Sequence, residues 1–129
     1  MDRNLLNISN IETYLYSVIQ GKVSDNTYVG TLPATIQKEW GDLCLIDCGS
    51  AIADLDALGG GVVLIWLYAK PTGGVKNVGV LQIMEELLND AIQNACHPHY
   101  KINRRNTYTD YDADRDLHCN IVELNIVIV

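Results

Sequence analysis

The run Val62-Val63-Leu64-Ile65-Trp66-Leu67-Tyr68-Ala69-Lys70 constrains this chain more than any other segment. Its apolar stretch is far too short for a bilayer crossing, and its β-branched and aromatic residues read as a strand. A strand with one wet face alternates apolar and polar residues. No polar residue interrupts this run before Lys70, so both of its faces are expected to be covered. One cover should be the protein's own helix. In so small a chain, a neighbouring subunit is the natural candidate for the other.

Two helices are expected to supply the internal cover. The first opens on Ser9-Asn10-Ile11-Glu12, which fits a capping box, and continues with Ile11, Leu15, Val18 and Ile19 at helical spacing until Gly21. The second spans roughly Lys76 to Ala95 and is stopped by Pro98. Val80, Ile83, Met84, Leu87, Leu88, Ala91 and Ile92 form its apolar stripe, and Glu85, Glu86, Asn89, Asp90 and Gln93 its polar side.

Around these lie further extended pieces. Thr27 to Leu32 closes at Pro33, which confines that strand to an edge or ends it. Leu43 to Cys48 forms another strand. Gly49 to Gly61 reads as a loop with room for a helical turn inside and a glycine hinge at its end. Tyr100 to Tyr108 is a polar, edge-like strand, and Thr109 to Asp116 an acidic connection. In the closing strand, Leu117 to Val129, residues Val122, Leu124, Ile126 and Ile128 share one face, with Glu123 and Asn125 on the other. The expected fold is α+β, a mainly antiparallel sheet packed by two helices in the order α-β-β-β-α-β-β. At 129 residues, 48% apolar, the chain is expected to be one domain spanning 1–129.

Charge narrows the partners. A formal net charge of −7 argues against tight nucleic-acid binding, which depends on neutralising phosphates. Arg104-Arg105 reads as a solvated surface pair. The first residues lack the apolar core and cleavage site of a secretory signal, no segment suits a membrane, and a cytoplasmic start with free thiols is expected for Cys44, Cys48, Cys96 and Cys119.

Catalytic and metal patterns fail on spacing. Asp110, Asp112, Asp114 and Asp116 alternate as in calcium loops. However, the sixth position is Arg115 or Leu117, never the required glycine, which leaves only a weak cation site open. Cys96-His97-Pro98-His99 and His118-Cys119 suggest zinc, yet neighbours on a strand point to opposite faces. Cys44 and Cys48 stand about 13 Å apart along a strand and read as core cysteines. Gly59-Gly60-Gly61 lacks the Gly-Lys-Ser/Thr sequel of a phosphate loop. No catalytic residue, metal ligand or cofactor is assigned, and the expected class is non-enzymatic.

Three phrases carry a family likeness: Tyr28-Val29-Gly30-Thr31-Leu32-Pro33 after the first helix, Val63 to Lys70 before the second, and His118-Cys119-Asn120-Ile121-Val122-Glu123-Leu124-Asn125-Ile126 at the close. With the element order, they make residues 10–129 resemble the phage tail-terminator and head–tail joining (tail completion) proteins. The resemblance implies a structural protein of virion assembly that forms a homo-oligomeric, hexameric ring and contacts tail-tube or neck proteins. It further implies residence in the bacterial host cytoplasm during assembly, and in the virion if the phage is intact. The 49–61 loop is more apolar, and the 109–116 connection more acidic, than that likeness leads one to expect. Candidate interface residues are Trp66, Tyr68, Ile121 and Val127 on the sheet, Leu55 and Leu58 in the apolar loop, and Asp112, Asp114 and Arg115 in the acidic connection. A non-viral α+β binding or adaptor domain is the second reading. A small enzyme using Cys96, His97, His99, His118 or Cys119 is the third.

Overall fold

The computed structural model describes residues 8–37, 40–48 and 60–128. The apolar run forms most of β3 (Gly60–Ala69), the middle strand of a five-stranded sheet. It is flanked by β2 (Asp42–Asp47) and β5 (Leu117–Ile128), both antiparallel to it. Beyond β2 lies β1 (Thr27–Val29), paired in parallel; beyond β5 lies β4 (Tyr100–Asp112), paired antiparallel. The sheet order is therefore β1-β2-β3-β5-β4. With α1 (Ile8–Ile19) and α2 (Val78–Asn94), the chain order is α-β-β-β-α-β-β, an α+β fold with a mostly antiparallel sheet.

Strand periodicity sorts β3 onto two faces. Val63, Ile65, Leu67 and Ala69 join Cys44 and Ile46 of β2 and Val122, Leu124 and Ile126 of β5 beneath the helices. Ile11, Leu15, Val18 and Ile19 of α1 meet Leu81, Met84, Leu88 and Ala91 of α2 on that layer. Each such aliphatic side chain, fully buried, contributes about 1.5–3 kcal/mol. The opposite face holds a second cluster: Leu43, Leu45, Tyr68, Leu117, Cys119 and Ile121, with Leu32 from the segment after β1 and Trp40, Tyr28 and Trp66 packed against it.

The apolar stripe of α2 is narrower than the sequence suggests. Ile83 is 56% exposed and Leu87 39%, while Leu81 is buried in their stead. The sheet touches α2 along a single line, and residues one step round the helix miss it. Glu85 and Asn89 are not on a solvated back; both reach toward β4, where Arg104 donates to Asn89 Oδ1 at 2.7 Å. Asn77 caps the helix by accepting from the Val80 N–H, and Ala95 turns extended before Pro98.

Several boundaries shift for physical reasons. The first helix already includes Ile8, so Ser9 stands inside it, not at its cap. Gly21, at φ 74°, closes α1 in the left-handed conformation that favours glycine. β1 stops at Val29, not Leu32, because Gly30 adopts φ 82° while its N–H still bonds Ile46 O. Gly60 and Gly61 are not a hinge: they pair with Val127 and Ile126 as the first residues of β3. β4 runs on through Thr109–Asp112, so half of the acidic connection is strand and the turn shrinks to 113–116.

Candidate interaction surface

The sheet register aligns one row across all five strands on the face away from the helices. Tyr28 stands opposite Leu45, Leu45 opposite Trp66, Trp66 opposite Ile121, and Ile121 opposite Tyr108. Cross-strand neighbours of this kind contact each other directly. Tyr68 adjoins the row: its ring stacks on that of Trp66, with centroids 6.1 Å apart. Trp66 is only half-buried, and its Nε1 has no hydrogen-bond partner among the described residues although the atom itself is buried. Burial of Tyr68, aided by Cys119 and Asp112, pushes its phenol up. Toward the opposite end of the sheet the same face turns polar, with Glu123 accepting from Tyr108 Oη and pairing with Arg105 at 3.3 Å.

The structure thus brings together Trp66, Tyr68 and Ile121 among the sequence candidates. It separates Val127, which shares their face but lies six residues along β5 from Ile121, about 20 Å away. Leu55 and Leu58 lie outside the described residues, as does the helical turn expected near them. Asp112, Asp114 and Arg115 form the tip of the β4–β5 hairpin. There Asp112 accepts from the backbone N–H of Asp114 and Arg115 and from the Arg115 guanidinium at 2.9 Å. Partial burial works against the Asp112 charge, but these bonds outweigh it and hold the carboxyl below its ordinary value. Asp116 completes the turn at φ 52°, accepting from Tyr111 Oη.

A second feature was not assigned from sequence. Between the end of α2 and the start of β4 opens a cleft of about 740 Å³, bounded by Tyr14, Cys96, His97, Tyr100, Lys101 and Arg104. His97 lies against both tyrosine rings, with centroids 4.8 and 4.7 Å away. Burial, and then the neighbouring Cys96, raise the Tyr14 phenol. The sequence signal was present as Cys96-His97-Pro98-His99, but His97 and His99 pack with Tyr14 and Tyr100 as an aromatic wall. Among the described residues, no three His, Cys, Asp or Glu side chains are grouped to hold a metal ion. The His118 ring lies tilted against that of Tyr111, while Cys119 is buried in the cluster on the other face. Cys44 and Cys48 are free thiols under the helices, pushed up to about 12 chiefly by burial.

No described helix is long and apolar enough to cross a membrane. No family model matches the chain, and no curated protein matches its sequence.

Proposed function

We propose that this chain is a structural subunit of virion assembly, of the phage tail-terminator or head–tail joining type, which self-associates into a ring and contacts tail-tube or neck proteins. The observation that carries this reading is the aromatic and aliphatic row Tyr28–Leu45–Trp66–Ile121–Tyr108 on the face away from the two described helices. Its half-buried centre, with an indole N–H that has no partner among the described residues, suits a surface that gains by being covered. The element order and the three sequence phrases add the family direction. A net charge of −7 suits a channel past which DNA slides without being held. Residence in a bacterial host cytoplasm, and afterwards in the virion, belongs to the same proposal.

The cleft beside His97 favours the second reading, a small non-viral binding domain. Light scattering coupled to size exclusion, with negative-stain imaging, separates the two. Closed rings of several subunits support the first reading. A strict monomer at high concentration overturns it, as does a genomic neighbourhood without capsid, portal or tail-tube genes.

A further inference from the structure

The outer edge of the sheet is the thirteen-residue strand β4, paired only with β5 among the described strands. Every residue from Asn103 to Tyr111 is exposed. A long uncovered edge is a template for pairing with another chain, and proteins blunt such edges with bulges and charges. β4 has both devices. Its register slips between Arg104 and Thr107, so that Arg105 and Asn106 together face Glu123, and it carries five charged side chains.

The sorting of those charges sets this edge apart. Lys101, Arg104 and Arg105 occupy the first half of the strand, Asp110 and Asp112 the second. Charges that merely kept copies apart would carry one sign along the edge. Charges sorted by sign repel in a parallel approach of two copies and attract in an antiparallel one. We propose that two copies of this chain join by antiparallel β4–β4 pairing, with Lys101 of each opposite Asp110 of the other.

The bulge makes this register self-consistent. Paired residues must share a sheet face. On β4, Lys101, Asn103, Tyr108 and Asp110 lie on the face away from the described helices, opposite Val127, Asn125, Ile121 and Cys119. Ile102, Arg104, Thr107 and Thr109 lie on the helix side, opposite Ile126, Leu124, Val122 and Asn120. Setting Lys101 against Asp110 sets Asn103 against Tyr108, Arg104 against Thr107 and Ile102 against Thr109, and every pair matches in face. In a strand without a bulge, the same register would put each side chain against one from the opposite face. The slip places the twofold axis between Arg105 and Asn106. The two Arg105 side chains approach there, and each is already paired with its own Glu123 at 3.3 Å. Among the described residues Lys101 has no ion pair, and the Asp110 carboxylate accepts only from its neighbouring Tyr111 N–H, so both are available.

The contact is isologous and closes at two copies, unlike the successive contacts of a ring. It therefore goes beyond the proposed ring and is tested separately. Sedimentation velocity on the full chain should show a reversible dimer that weakens with salt. Lys101→Asp and Asp110→Lys, each still folded by circular dichroism, should each raise the dimer dissociation constant about tenfold or more, by replacing two attractive cross-strand pairs with repulsive ones. The double variant should recover the dimer. Hydrogen exchange on the unaltered protein provides a check that needs no variant: β4 amides should slow as concentration rises. A monomer at all concentrations overturns the proposal, as does a dimer indifferent to both charge reversals, or a double variant no better than the singles. Charge-insensitive rings without β4 protection also overturn it while leaving the ring reading standing. A charge-sensitive dimer that never builds further supports it and counts against the ring.

Discussion

Trp66 of β3 stands opposite Ile121 of β5 on the sheet face away from the described helices, and its indole N–H is buried with no hydrogen-bond partner among the described residues. A buried donor left unpaired costs about 1–3 kcal/mol. Trp66→Phe removes that donor and some apolar area together, so stability should stay within about 1 kcal/mol of the parent. Trp66→Ala loses the whole ring and should cost about 3 kcal/mol. Urea denaturation of both variants checks the pair; a large loss for Trp66→Phe would mean that the N–H is satisfied in solution.

The two sides of α2 should respond differently to truncation. Leu88 is fully buried against the sheet, and Leu88→Ala should lose about 2–5 kcal/mol through transfer and cavity terms. Ile83→Ala, at a position 56% exposed, should fall within about 0.5 kcal/mol of the parent. Thermal and urea unfolding of both variants decides it.

The four thiols should separate by burial. Cys96 is exposed and should react with a maleimide in the native protein, while Cys44, Cys48 and Cys119 react only after unfolding. Mass spectrometry of protein labelled with and without denaturant reads this directly.

Alkali should destabilise the protein through the same buried thiols. In the folded state Cys44 and Cys48 are pushed up to about 12, and Cys119 to about 11, from an ordinary value of 9.0, with burial the largest cause in each. Their contribution is complete below the unfolded value and is lost as pH rises toward the folded ones, because only unfolded chains release those protons. Urea midpoints should therefore fall between about pH 8.5 and 10.5, and fall less when the buried cysteines are replaced by alanine.

The hairpin tip depends on one carboxylate. Asp112→Ala removes the acceptor for two backbone N–H groups and the Arg115 guanidinium and should cost about 1 kcal/mol. Since the folded carboxyl is held below its ordinary value of 3.8, its contribution is present above that value and disappears as pH falls through the folded one. Unfolding midpoints of the variant and parent should converge in acid.

Much of the fold was legible because its signals are local. The buried stripe Ile11, Leu15, Val18 and Ile19 and the alternation through Val122, Leu124 and Ile126 follow from helical and strand periodicity alone. Ile83 and Leu87 were misread because periodicity locates an apolar side of α2 but not the width of the sheet beneath it. Gly60 and Gly61 were misread because glycine signals a break locally, whereas pairing with Ile126 and Val127 holds them in a strand. Of the candidate interface, Trp66, Tyr68 and Ile121 were found from their apolar surroundings. Tyr28, Leu45 and Tyr108 were not, since only register places distant strands side by side.

By itself, then, the apolar run at 62–70 determined that a central strand would need cover on both faces, since a backbone period of two leaves neither face polar. Only the tertiary structure decided what each cover is: two helices on one side, and on the other, among the described residues, a layer around Trp66 that includes Leu32, Trp40 and Tyr28. The physical reason is that burial is a property of pairs of surfaces, and strand order, which brings them together, is set by long-range pairing that no local pattern encodes.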